Sequence, residues 1–269
     1  MSEFSPHLPG LSGAALILGA SSGFGAATAL ALARSGLDIY GVHLDRKATL
    51  PLAEAVQDEI RALGRTATFF NVNAADPERR AEVVEQIASE RGPGGLRVLM
   101  HSLAFGTLRP YVSPGGGPVV SAKQMDMTLD VMAHSLVYWA QALAERDLFA
   151  QGGRVFAMTS EGSTRVWPSY GPVSAAKSAL ESHIRQLAVE LAPLGVTANA
   201  ILAGVTDTPA LRKIPGNEEM IEAVLAKAPG GRLTVPEDVA GAICALTHEG
   251  CRWISGNTLR VDGGEHLAG

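Results

Sequence analysis

Ala14-Ala-Leu-Ile-Leu-Gly-Ala-Ser-Ser-Gly-Phe-Gly25 reads as a strand, a turn and the start of a helix. Ala14–Leu18 is a short apolar run. Glycines follow at 19, 23 and 25, and an Ala/Leu-rich helix then runs to Ser35. A strand entering a glycine-rich turn before a helix leaves backbone N–H groups free, and the helix dipole adds positive potential behind them. Such a turn receives a phosphate: Gly19, Ser21, Ser22, Gly23, Phe24 and Gly25 are the candidate contacts, and the glycines allow close approach. The spacing Gly-x3-Gly-x-Gly departs from the usual dinucleotide fingerprint Gly-x-Gly-x2-Gly.

The rest of the chain continues the alternation. Strands are expected at Ile39–Leu44, Thr66–Val72, Arg97–Ser102, Arg154–Thr159, Val196–Leu202 and Thr258–Val261. Helices are expected at Leu52–Leu63, Pro77–Glu90, Lys123–Leu148, Gly171 to about Leu191, Glu218–Lys227 and Pro236–Thr247. Strands separated by ten or more helical residues imply βαβ units, hence an α/β fold with a doubly wound, mostly parallel sheet and helices on both faces. No repeat or linker interrupts residues 1–269, so a single α/β domain is expected. Gly/Pro-rich breaks at Ser113–Pro118 and Pro229–Gly231 border candidate mobile flaps.

Composition narrows the partners. The chain is 46% hydrophobic and carries a net charge of −5, with no extended basic cluster, which speaks against nucleic acid and anionic membranes. No stretch approaches the ~18 apolar residues of a membrane span. Cys244 and Cys251 show no metal-ligand or redox spacing, and the N-terminus has no basic region ahead of an apolar run, so a reduced, cytoplasmic protein is expected.

A second chemical signal lies between Thr159 and Leu180. Tyr170 and Lys177 are seven apart, so a helix entered near Tyr170 places phenol and ammonium on nearly one face. That pairing suits a proton donor whose pKa a neighbouring cation lowers. Ser160, on the loop leading in, offers either a second hydrogen bond to the same oxygen or an ordinary loop cap. At the end of the second strand, beside the adenosine ribose of a dinucleotide, stand Asp45 and then Arg46-Lys47. An acid accepts from a free 2′-hydroxyl and a base accommodates a 2′-phosphate. Two bases against one acid favour NADP(H) and leave NAD(H) open.

With Gly19–Gly25, Asn73-Ala74, Ala203-Gly204-Val205-Thr206-Asp207-Thr208 and Asp262-Gly-Gly, the chain resembles the short-chain dehydrogenase/reductase superfamily over its whole length. The resemblance implies a single Rossmann-like domain over 1–269, usually in a homotetramer, with a substrate flap at about 206–232. It also implies that Asn73, Ala74, Ser102, Leu103 and Ala104 line the adenosine side, that Gly204, Val205 and Thr208 hold carboxamide and pyrophosphate, and that Lys177 grips the nicotinamide ribose. Most of that superfamily has Tyr-x3-Lys and a catalytic Asn on the helix after the fourth strand. Here Val173 stands four before Lys177, and Met132 is the counterpart of the Asn. Tyr-x6-Lys, with His101-Ser-Leu-Ala-Phe-Gly106, resembles the enoyl-acyl-carrier-protein reductases, and Leu108-Arg109-Pro110 their NADPH-using branch.

The displaced tyrosine has a geometric rationale. In ketone reduction, hydride lands on the carbon bearing the oxygen. In enoyl reduction it lands on the β-carbon, and the carbonyl oxygen lies two carbons further along. Moving the tyrosine from i−4 to i−7 adds up to about 4.5 Å of axial separation from the lysine. The expectation is therefore reduction of an enoyl thioester, free or on an acyl carrier protein, with Tyr170 stabilising the enolate. A carbonyl or enone reductase stays open, as does a nucleotide-binding protein without turnover. Phe105, Tyr111 and Trp167 form either an apolar acyl pocket or simple loop packing; His101 is expected to contribute backbone rather than act as a base.

Overall fold

The computed structural model describes residues 10–268. Residues 1–9, on which the reading of the N-terminus rested, and residue 269 lie outside them. Seven strands form one parallel sheet: β1 (Ala14–Leu18), β2 (Asp38–His43), β3 (Ala67–Asn71), β4 (Leu96–His101), β5 (Phe149–Thr159), β6 (Thr197–Ala203) and β7 (Thr258–Val261). Their order is β3-β2-β1-β4-β5-β6-β7. The order reverses between β1 and β4, and a crevice opens beyond the carboxyl ends of the strands at such a switch point. The helices are α1 (Gly23–Arg34), α2 (Leu50–Ala62), α3 (Pro77–Arg91), α4 (Ala122–Leu129), α5 (Ser135–Glu145), α6 (Gly171–Glu190), α7 (Asn217–Leu225) and α8 (Pro236–Thr247).

β1 shows why the sheet is buried on both faces. Its five residues are fully inaccessible. Ala14, Leu16 and Leu18 join a core with Trp139, Leu180 and Ile184, whereas Ala15 and Ile17 join another with Leu32, Val239 and Ile243. The two-residue strand period thus feeds two cores, one under α5 and α6, the other under α1 and α8. Each buried Leu or Ile contributes roughly 2 kcal/mol. In α6 the buried set is Pro172, Val173, Ala176, Lys177, Leu180, Ile184 and Leu187, a helical stripe with one charged member.

β1, α8 and β7 coincide with their sequence expectations, but the helix expected over Lys123–Leu148 is divided. Between α4 and α5 lies a π-helical turn, Asp130–His134. Hydroxyls flank it: Thr128 Oγ1 donates to Gln124 O at 2.7 Å, and Ser135 Oγ to Val131 O at 2.8 Å. Such back-bonding competes with the regular ladder and bends helices. The helix also ends early because β5 begins at Phe149, not Arg154. Phe149 pairs with Leu96, and a bulge follows before Val98 meets Arg154.

Arg154 is 1% exposed and has only carbonyls for partners. Its Nε donates to Leu246 O at 2.9 Å and its NH2 to His248 O at 3.2 Å, satisfying the last carbonyls of α8. α8 packs against α1, so this residue ties the strand leading to Ser160 to the helix behind the glycine turn. Arg154→Ala strands those carbonyls and should lower the unfolding free energy by about 3 kcal/mol or more, measured by urea denaturation.

Candidate active site

The glycine turn is a cradle with no room for side chains. Gly19 has φ +93°, and a Cβ there would lie 2.3 Å from Ser102 O. A Cβ on Gly25 would lie 2.0 Å from Gly19 O, so α1 starts directly against the end of β1. Gly23 has φ +54°, and a Cβ there would meet the Thr208 methyl at 3.7 Å. Ser22 caps α1 without a side-chain hydrogen bond, leaving the first N–H groups of the helix for a ligand. A pyrophosphate fits this cradle: a close backbone approach, open donors and a twelve-residue helix dipole.

On the β2 side, Asp45 is fixed rather than solvated. His43 Nδ1 lies 2.8 Å from Asp45 Oδ2, and the Asp45 side chain is 11% exposed. Its backbone exchanges two hydrogen bonds with the Asn71 amide, both 2.9 Å. Burial alone would raise its pKa, but Thr49, Ser21 of the glycine turn and His43 together hold it below the ordinary value. Arg46 and Lys47 are exposed. Of the other residues expected here, Asn73 accepts from Ala75 N and Ala74 O accepts from Trp139 Nε1 at 2.8 Å. Ser102 and Leu103 are half-buried beside the turn, and Ala104 is exposed.

On the β4–β6 side, the structure brings Tyr170 and Ser160 together, with Oη and Oγ 3.3 Å apart. Tyr170 is the N-cap of α6, not a residue inside it. A turn delivers it: Tyr170 N donates to Trp167 O at 3.1 Å, with Pro168 and Ser169 at the centre. Ser169 takes φ +63°, and proline before a positive φ is the type II pattern, in which glycine is usual. The phenol ring lies on Gly162, where a Cβ would be 2.3 Å from Tyr170 Cε1. Tyr111 similarly covers Gly171. Trp167 Nε1 donates to Pro215 O at 3.3 Å, joining this turn to the expected flap.

Lys177 corrects one expectation. Its ammonium does not make the phenol more acidic. Nζ donates to Met158 O at 2.6 Å and Leu103 O at 3.5 Å, and no hydrogen bond joins it to Tyr170 among the described residues. Burial pushes the phenol pKa up, with only the Ser160 hydrogen bond opposing. Burial likewise pushes Lys177 down to about 8, opposed by the charge of Glu181 one turn on. Glu181 itself accepts from Thr159 Oγ1 at 2.6 Å. Sequence reading missed Glu181, although its i,i+4 spacing from Lys177 was a signal.

Val173 is 5% exposed, facing Gly106 together with Met132: a Cβ on Gly106 would be 2.7 Å from both Met132 Sδ and Val173 Cγ2. The volume four residues before Lys177 is therefore filled with apolar atoms. His101 is fully buried, with Nε2 2.9 Å from Ser135 Oγ. The Ser135 proton goes to Val131 O, so His101 holds its own proton on Nε2. Burial, then the nearby Lys177, push the imidazole pKa down to about 3. It is a neutral core residue, as its strand-end position suggested.

In the segment after β6, Val205 N donates to Glu265 Oε2 at 2.8 Å. The backbone N–H groups of Thr206, Asp207 and Thr208 have no partner among the described residues and are open donors of this loop. The Thr208 methyl stands 3.7 Å from where a Cβ on Gly23 would lie, and its hydroxyl accepts from Leu211 N at 3.2 Å.

Residues 19–266 match a family model described as Enoyl-(Acyl carrier protein) reductase. The chain is 30% identical over 251 residues to the 1-cyclohexenylcarbonyl-CoA reductase of Streptomyces collinus, covering 93% of this chain and 85% of that one. It is 29% identical to the cyclohexanol dehydrogenase of Rhodococcus sp. (strain TK6), covering 96% and 97%. The enoyl-[acyl-carrier-protein] reductase (NADH) of Aquifex aeolicus VF5 superposes with a TM-score of 0.82 at 25% identity, covering 96% and 98%. By its parallel sheet, its nicotinamide-dinucleotide cradle and these matches, the chain belongs to the short-chain dehydrogenase/reductase family of oxidoreductases that this model describes.

Proposed function

We propose that this protein reduces the 2,3 double bond of an enoyl thioester, carried on coenzyme A or on an acyl carrier protein. The supporting observation is the placement of the Tyr170 phenol relative to Lys177. It stands outside α6, beside Ser160, while the position four before Lys177 is packed shut by Val173, Met132 and Gly106. The relative that reduces a cyclohexenylcarbonyl thioester agrees with this reading.

A reduced nicotinamide, when bound, supplies hydride to the β-carbon. Tyr170 then meets the charge that develops on the thioester oxygen. Its raised pKa keeps the phenol protonated at neutral pH, so it serves as a hydrogen-bond donor already in place. Ser160 is near enough to donate to the same oxygen or to accept from Tyr170. The α-carbon takes its proton from Tyr170 or from water. Lys177 has three donors, of which two go to Met158 O and Leu103 O; the third serves the ribose.

Asp45 alters the balance between cofactors. Two exposed bases favour NADP(H), but the fixed carboxylate at the glycine turn accepts from a free 2′-hydroxyl and repels a 2′-phosphate. The reading that follows is a preference for NAD(H), with Arg46 and Lys47 allowing NADP(H) as the weaker cofactor.

Three outcomes test these statements. Tyr170→Phe should lower kcat/KM with crotonyl thioester by about 100-fold or more. Adding Val173→Tyr should not restore it, since Gly106 and Met132 occupy the space; full restoration would identify the wrong donor. Activity should fall as pH rises through about 8, because Lys177 loses its proton there, and Glu181→Gln should move that fall to lower pH. Asp45→Ser should shift the NADPH/NADH ratio of kcat/KM toward NADPH by at least about tenfold; a wild-type ratio already favouring NADPH contradicts the role given to this carboxylate.

A further inference from the structure

The C-terminal turn contributes a carboxylate that neither the cradle nor the phenol pair uses. After β7 the chain passes Gly263 and Gly264, at φ +59° and +84°, into a single 3-10 turn, Glu265–Leu267. There Glu265 Oε2 accepts from Val205 N at 2.8 Å, across sixty residues of chain. Gly204 makes the contact possible. A Cβ on it would lie 2.6 Å from Glu265 Oε2 and 2.4 Å from Thr234 Oγ1.

The turn that carries Glu265 is held from several sides. Asp262 Oδ1 accepts from Gly264 N at 3.0 Å, and Asp262 Oδ2 lies 2.6 Å from His266 Nδ1. Arg260 pairs with Glu161, the residue after Ser160, and lies 3.8 Å from Asp262 Oδ2. One short segment therefore grips both loops at the reactive end of the crevice, the Ser160 side through Arg260 and the Gly204–Thr208 side through Glu265. Half-burial is the largest influence on the Glu265 carboxyl and raises its pKa, with Asp262 and Glu161 acting in the same direction against Val205 N–H and Arg165.

We propose that Glu265 is a positioning residue for the nicotinamide half of the cofactor. By taking the Val205 N–H it fixes the orientation of the following peptides, holding the N–H groups of Thr206, Asp207 and Thr208, none partnered among the described residues, as donors and keeping the Thr208 methyl beside Gly23. Glu265 acts through the loop and not by touching the reacting atoms. The inference rests on the nicotinamide site and is independent of the enoyl substrate.

The test measures binding without turnover. Dissociation constants for NADH, NADPH and 5′-AMP are taken by fluorescence titration or calorimetry on the wild-type protein, Glu265→Ala and Glu265→Gln. AMP reaches only the adenosine half of the crevice, at the other side of the sheet. Glu265→Ala should weaken both dinucleotides about tenfold and leave AMP unchanged, and Glu265→Gln, which keeps an acceptor oxygen for Val205 N–H, should stay within about threefold of wild type. Amide hydrogen exchange across 204–208 should quicken in the Ala variant alone. Unchanged dinucleotide affinity in Glu265→Ala, an equal loss for AMP, or a Gln variant no better than Ala would each overturn the proposal. Failure of the enoyl reading would show in substrate turnover and leave these constants untouched.

Discussion

The Lys177 ammonium closed on the Met158 carbonyl at 2.6 Å is the constraint from which the reactive half of the crevice is built. Placing an ammonium where it is 5% exposed costs several kcal/mol, and only good hydrogen bonds offset this. Met158 O and Leu103 O satisfy that demand only when α6 sits at one height against the ends of β4 and β5. With that register set, the entry of α6 falls beside the loop after β5, and Tyr170 meets Ser160. Glu181, held by Thr159, supplies the opposing charge. The lysine thus organises by geometry, and its influence on the phenol is positional rather than electrostatic.

Much of this architecture was legible in the residues because it follows from local rules. β1 alternates between two cores, α8 opens with proline in its first turn, and β7 is a short run before Asp262-Gly-Gly; these elements match their expected bounds. The glycine turn was legible for the same reason, since only glycine fits where a Cβ would strike Ser102 O or Gly19 O. The break between α4 and α5 was not. It lies between two hydroxyls that bond back to carbonyls four residues earlier, and Ser135 also meets His101, 34 residues away in sequence. Glu265 escaped notice likewise, because its partner is a backbone N–H in another loop. Periodicity reports what a segment does with its neighbours in sequence; these contacts are made by the fold.

The electrostatics of the two halves differ in a consistent way. On the adenosine side, Asp45 is ionised and fixed among His43, Thr49 and Ser21. On the reactive side, burial pushes each group toward its neutral form: the phenol holds its proton, His101 is uncharged, and Lys177, brought down to about 8, is still a cation at neutral pH. In the proposed reaction the hydroxyls of Tyr170 and Ser160 meet the thioester oxygen in partly buried surroundings. Such an environment makes each hydrogen bond to a developing enolate stronger than it is in water.

The central claim is that Tyr170 serves an oxygen two carbons removed from the site of hydride addition. Following the label from 4-deuterated NADH into the product of a 2-enoyl thioester tests this most directly. The account predicts one deuterium at the β-carbon, a solvent proton at the α-carbon and an intact thioester. Deuterium at a carbonyl carbon, with ketones reduced and the enoyl thioester left untouched, would contradict it.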